Sequence, residues 1–122
     1  MDDSPQPDII NLAAALTRVG GDAELLIEIA ELFLRTAPPL LAQIDQAVAR
    51  RDAGALERAA HTLKGSVGNF AVGEAFQAAL KLELLGRSGQ LTGVEEAYQA
   101  LLIAMERLQP ALVTLVESRV VR

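Results

Sequence analysis

Ala59-Ala60-His61-Thr62-Leu63-Lys64-Gly65-Ser66 holds the only histidine of the 122-residue chain. On an ideal helix, at about 100° per residue, Leu56, Ala59, Ala60, Leu63, Val67 and Phe70 fall within one arc, which predicts the buried face. His61, Gly65 and Gly68 fall on the opposite side at spacings i, i+4 and i+7, with Lys64 on the flank of the histidine. The pattern predicts an imidazole standing out of a helix beside a strip with no side chains. Glycine inside a helix costs about 1 kcal/mol relative to alanine, so the two glycines need a reason. One reason is access, since a missing Cβ lets another protein surface come close to the imidazole. For Gly68 a helix C-cap with Asn69, where a left-handed residue is expected, is an equal alternative. Gly65 is different, because the apolar spacing continues beyond it to Val67 and Phe70.

The flanking chain reads as further helices. Asp8 is a candidate cap for a short helix from Ile9 to about Val19, ended by Gly20-Gly21. Asp22 then caps a second helix, with Leu25, Ile29, Leu32 and Thr36 on one side and Glu24, Glu28, Glu31 and Arg35 on another. Ile27, Ala30 and Leu34 form a second apolar stripe. Two readings stand for it: the first helix covers it with Ile10, Ala13 and Leu16, or part of it, at Ile27 and Leu34, remains exposed as a docking patch. Pro38-Pro39 is expected to kink or interrupt this helix, after which Leu40, Leu41, Ile44 and Val48 resume the core stripe.

Beyond the histidine, Gly73 opens a helix with apolar rows Ala75-Ala79-Leu82 and Phe76-Leu80-Leu84, expected to end at Gly86 and Gly89. Val94, Tyr98, Leu101, Met105, Leu108, Leu112 and Leu115 predict a long last helix, bent at Pro110. Half of the residues are apolar but only 3% are aromatic, which favours packed helices over strands. The expected fold is all-α, an up-and-down four-helix bundle with a short extra N-terminal helix. Residues 8–122 form this domain, and residues 1–7, acidic and proline-bearing, a disordered lead or linker.

Composition narrows the function. With no cysteine and one histidine, a structural zinc site or disulfide framework has no ligands. The net charge of −5, with Arg50-Arg51 the only adjacent basic pair, lacks the footprint of nucleic-acid binding. The N-terminus is the reverse of a secretory signal, and no uncharged apolar run reaches the roughly 20 residues that span a bilayer. These features predict a cytoplasmic protein that binds neither DNA nor membrane, and the start at Met1 favours a complete chain.

The stretch around His61 resembles the histidine-containing phosphotransfer (HPt) domain of two-component phosphorelays. That signature runs approximately Ala-His-x-Leu-Lys-Gly-Ser, matched in register by Ala60, His61, Leu63, Lys64, Gly65 and Ser66. Gly20-Gly21-Asp22, Arg51-Asp52 and Leu82-Glu83 also stand where the family has them, so the resemblance covers about Asp8 to Val116. It departs at Ala71 and Val72, where Gly-Ala is usual, which bears on the turn there.

The resemblance implies that a receiver aspartyl phosphate gives its phosphoryl group to His61, which passes it reversibly to a second receiver. It further implies a receiver-docking surface at Gly65, Ser66 and Gly68, a monomer, and donors that include receivers of hybrid sensor kinases. From the residues themselves, a solvent-facing imidazole is largely neutral near pH 7 and offers a ring nitrogen as nucleophile. Lys64 is placed for orientation and modest charge support. No phosphate-binding glycine loop occurs, so the chain is expected to be a phosphocarrier and not a kinase. Magnesium would belong to the receiver, and no cofactor is expected here.

Three alternatives stand against this reading. A non-catalytic adaptor bundle would make His61 incidental. The dimerising phosphoacceptor domain of a sensor kinase usually has a proline soon after its histidine, and Thr62 to Phe70 has none. A hydrolase using His61 as base lacks an identifiable nucleophile and buried carboxylate, since Ser66 at i+5 points elsewhere.

Overall fold

Three helices open on a side chain that satisfies an N–H of their first turn. In the computed structural model, which describes residues 10–70 and 73–118, Asn11 Oδ1 accepts from Ala14 N at 3.1 Å, Asp22 Oδ1 from Leu25 N at 3.0 Å, and Asp52 Oδ1 from Ala55 N at 3.0 Å. They start α1 (Leu12–Arg18), α2 (Ala23–Arg50) and α3 (Ala53–Val67), which are followed by α4 (Glu74–Ser88) and α5 (Val94–Glu117). All regular structure among the described residues is helical. The lead at 1–7, the Asp8 cap and the Ala71-Val72 turn lie outside those residues.

Helix α1 starts later than the sequence suggested, with Asn11 as its cap in the structure. The Asn11 N–H donates to Phe70 O at 2.8 Å, so the entry of α1 is tied to the chain just after α3. Ala15 is its buried residue, Leu16 is partly buried, and Ala13, expected to cover α2, is exposed.

Helix α2 corrects two expectations. It continues as one helix through Pro38 and Pro39, both exposed, so the expected interruption does not occur. Its core face is also different. Leu26, Ile27, Ala30, Phe33 and Ala37 are buried, whereas Leu25 and Leu32 are exposed. Continuity explains this, because Ile44 and Val48 must face the core and an unbroken helix carries their register back to Ala37, Phe33, Ala30 and Leu26. The row Leu25-Ile29-Leu32-Thr36 leads instead to Pro39 and Gln43, both exposed.

Ile27 is 1% exposed, so the second reading of this stripe, an exposed docking patch at Ile27 and Leu34, is not presented. Ile27 belongs to the interior, and Leu34 is partly buried against the core.

The turn into α3 is made by the pair Arg51-Asp52. Arg51 takes a left-handed conformation, φ 54°, that ends α2, and the next residue caps α3. The face expected for α3 is the buried one: Leu56, Ala59, Ala60, Leu63 and Val67, with Phe70 just beyond the helix. Phe70 packs edge-on against Phe33 of α2, ring centroids 5.7 Å apart.

Helix α4 passes through Gly86 and ends at Ser88, with Gly89 left-handed at φ 74°. Gly86 is buried because α4 lies directly on α3: a Cβ there would stand 2.6 Å from Glu57 N and 2.7 Å from Ala53 O. This close approach fixes the two helices that carry the site.

Helix α5 buries Val94, Leu101, Met105, Leu108 and Leu112 of the expected stripe, with Tyr98 and Leu115 partly covered, and runs through Pro110. By length and composition alone α5 is apolar enough to cross a membrane. Its apolar stripe is, however, spent on packing against α2 and α4. Helices α2, α3, α4 and α5 each pack against the next, α5 closes back on α2, and α1 rests on α2.

Candidate functional site

The imidazole of His61 stands on the solvent side of α3, with its side chain 67% exposed. One turn on, an ideal Cβ built at Gly65 meets nothing within 4 Å, so the surface beside the ring is open. Gly68 does not extend this strip. It occupies the C-cap position of α3 in a right-handed conformation, and a Cβ there would press on Phe76 at 3.4 Å and Lys64 O at 3.3 Å. Its role is packing against α4, and the left-handed cap that the sequence allowed does not form. Ser66 is partly buried, and its hydroxyl donates to Thr62 O at 3.2 Å within the same helix.

What faces the imidazole from α4 is a carboxylate. Glu83 Oε2 lies 2.9 Å from His61 Nδ1, and Glu83 is the one charged residue buried among those described. Its other oxygen, Oε1, pairs with Lys64 Nζ at 2.7 Å. Oε2 also accepts from Arg87 Nη2 at 2.8 Å, while Arg87 Nε donates to Glu57 Oε2 at 2.9 Å. Glu57 and His61 are four apart on α3, and Glu83 and Arg87 four apart on α4. Two facing helix strips thus interlock through charge.

A carboxylate removed from water is costly unless paired and hydrogen-bonded; here Oε2 is hydrogen-bonded, while Oε1 accepts no well-directed hydrogen bond and is compensated by the charge of Lys64 alone. Lys64 is the largest influence holding the Glu83 carboxyl below the usual range; burial pushes the other way, and His61 adds to the lowering. Glu83 is therefore an anion and can only accept. Nδ1 of His61 must then carry its proton, which leaves the Nε2 lone pair free, and Nε2 bonds nothing among the described residues. An exposed ring nitrogen, with tautomer and orientation held by a buried anion, is a fixed nucleophile.

Reading the sequence alone missed the role of Glu83 and with it Arg87 and Glu57. In the sequence Leu82-Glu83 carries only a resemblance, and nothing in it identifies a buried carboxylate partner for His61. The available signal was position. Glu83 lies on the edge of the face made by Ala75, Ala79, Leu82 and Gly86, where an ionised side chain requires a partner. Lys64 is found on the histidine flank as expected, but its ammonium is committed to Glu83. Among the described residues no group of His, Cys, Asp and Glu side chains is arranged to hold a metal ion.

No curated protein and no solved structure matches the chain. The family model described as Hpt domain matches residues 28–111, well over half of the chain and inclusive of His61, Lys64, Glu83 and Arg87. A helical fold, a lone exposed histidine in the expected register and this match agree, and the chain belongs to the Hpt domain family, whose members serve histidine phosphotransfer in two-component signalling.

Proposed function

We propose that this protein carries a phosphoryl group on Nε2 of His61 between the aspartates of receiver domains in a phosphorelay. The observation that supports this reading is the pairing of His61 Nδ1 with buried Glu83 while the rest of the ring is open to solvent beside Gly65.

In the forward step the Nε2 lone pair attacks the phosphorus of a receiver aspartyl phosphate. The N–P bond forms as the P–O bond breaks, and the electrons of that bond leave with the aspartate carboxylate. Nδ1 keeps its proton, so the phosphorylated ring becomes cationic and Glu83 faces the new charge at hydrogen-bond distance. In the return step neutral imidazole is the leaving group and a second receiver aspartate takes the phosphoryl group. Phosphoryl transfer depends chiefly on alignment and charge, and the bare surface at Gly65 leaves a line of approach to Nε2.

The chain acts in this reading as a carrier, without nucleotide or metal of its own, in the cytoplasm and as a monomer. Magnesium would sit in the receiver. The closed cycle of packing from α2 to α5, joined by short connections, supports an up-and-down four-helix bundle with α1 as an appended helix.

The test is incubation with a phosphorylated receiver, followed by mapping of an acid-labile, alkali-stable phosphoryl group. Label at His61 in the wild type and none in His61→Gln is the expected result. Labelling of His61→Gln would overturn the assignment, and no label from several receivers would favour an adaptor bundle.

A further inference from the structure

Glu83 Oε2 has two claimants, His61 Nδ1 at 2.9 Å and Arg87 Nη2 at 2.8 Å. Arg87 is not free to swing away, because its Nε is held by Glu57 Oε2 at 2.9 Å across the helix interface. The backbone enforces the arrangement. Gly86 lies against the Glu57 backbone, so Arg87, the next residue, is delivered to the Glu57 side chain.

We propose that Arg87, clamped by Glu57, is a positioning residue for the carrier reaction: it shares Glu83 Oε2 with His61 Nδ1 and limits how strongly that carboxylate draws the imidazole toward its protonated form. The inference rests on the phosphocarrier reading above and names a regulator of the same site.

The physical argument is one of competition. A carboxylate that serves the imidazole alone favours the imidazolium, and a protonated ring has no lone pair on Nε2 to offer. A carboxylate without any neighbouring cation would do so most strongly. With Lys64 on Oε1 and Arg87 on Oε2, part of the Glu83 charge is engaged by cations other than the imidazole. Arg87 suits this task because its planar fork presents Nη2 to one carboxylate and Nε to another, a geometry that lysine lacks.

The remaining charges near the imidazole do not compete for Nδ1. On α3 itself Lys64 and Glu57 act through Glu83 and Arg87. On the other flank of α3, α2 brings Arg50 to a cleft shared with Asp52, Arg58 and Thr62, none of which bonds the imidazole.

The full chain has one histidine, so ring-nitrogen NMR reports the titration and tautomer of His61 alone. In Arg87→Met, which keeps the apolar stem and removes the charge, the His61 titration moves to higher pH relative to wild type while circular dichroism is unchanged. Acceptance from a phosphorylated receiver then falls more on the acid limb of the pH profile than on the alkaline limb, by about threefold for each half pH unit of movement. Arg87→Lys, which restores a cation beside Glu83, returns most of the titration toward wild type. An Arg87→Met protein whose His61 titrates as in wild type overturns the proposal, whatever its transfer rate. So does an Arg87→Lys protein that titrates as Arg87→Met. The titration needs no phosphodonor, so a wild type that accepts no phosphoryl group would defeat the carrier reading alone, and the NMR result would still decide the role of Arg87.

Discussion

Glu83 and His61 sit 2.9 Å apart and in opposite environments: the carboxylate is 2% exposed along its side chain and the imidazole 67%. The buried partner is fixed by packing and by three cationic or polar donors, and the exposed partner is fixed by it. Replacing Glu83 by Gln keeps the shape but removes the anion, leaving Lys64 and Arg87 without their shared partner. Arg87 keeps its bond to Glu57 and Lys64 is partly exposed to water, so the cost to stability is nearer about 1–2 kcal/mol than the 3–5 of a fully buried broken pair. The effect on function is expected to be larger. An amide can donate to Nδ1 as well as accept from it, so the tautomer is no longer dictated, and the cationic phosphorylated ring loses its counter-charge. A fall of about tenfold or more in phosphoryl acceptance is expected. Urea unfolding and stopped-time phosphorylation measure the two effects, and wild-type acceptance in Glu83→Gln would show that the carboxylate is only structural.

The same carboxylate predicts a loss of stability in acid. Its folded-state pKa is lowered below 4.5, the value for an unpaired glutamate, with the neighbouring Lys64 ammonium the main cause. Between the folded and unfolded values the unfolded chain binds more protons, so unfolding becomes easier as the pH falls. The contribution of Glu83 is therefore complete above about pH 4.5 and is lost as the pH drops through the lowered folded value. In Glu83→Gln this part of the pH dependence is absent. Denaturant midpoints of the two proteins at pH 6 and pH 3 compare them directly, and parallel declines would assign the acid sensitivity to other carboxylates.

Gly65 and Gly86 face opposite demands and should respond oppositely to alanine. At Gly65 a Cβ meets nothing within 4 Å, so Gly65→Ala gains helix propensity and is expected to stabilise by up to about 1 kcal/mol. Gly65→Leu should likewise fold and yet block the receiver, because its bulk occupies the approach to the imidazole. At Gly86 the added atom would stand 2.6 Å from Glu57 N and 2.9 Å from Glu57 Cα, backbone that cannot step aside without separating α3 from α4. A loss of about 1–3 kcal/mol is expected for Gly86→Ala, together with impaired acceptance as Glu83 and Arg87 are drawn away from α3. Thermal unfolding of the three variants is decisive. If Gly65→Leu unfolded the protein, the face beside His61 would be packed and the open-approach argument would fail.

How much of this was legible before the structure depends on the range of the interaction. The buried face of α3 was readable because helical periodicity is local, and Leu56, Ala59, Ala60, Leu63 and Val67 needed only their spacing. The exposure of His61 followed from the same arc. Glu83 was not readable as its partner, since the link spans 22 residues and depends on α4 lying close against α3 through Gly86. A sequence of apolar rows on α4 shows that the helix is covered but not by what. Helix α2 failed for a related reason: two candidate stripes were visible, and which one faced inward depended on whether Pro38-Pro39 broke the register.

That last choice can be tested by substitution on the two stripes of α2. Ile27 is 1% exposed, and Ile27→Ala removes packed methylenes from a site that cannot fully collapse, for an expected loss of about 2–4 kcal/mol. Leu32, five residues on, is 52% exposed, and Leu32→Ala is expected to fall within about 0.5 kcal/mol of wild type. Neither residue approaches the site, so phosphoryl acceptance by the folded fraction should be unchanged in both. The contrast is diagnostic of register. If α2 were broken at the prolines and its first half rotated to bury the Leu25-Ile29-Leu32 row, the order of the two losses would reverse. Chemical denaturation of the pair therefore reads out whether the helix is continuous in solution, because only an unbroken α2 lets Ile44 and Val48 dictate which side of Ile27 and Leu32 meets the core.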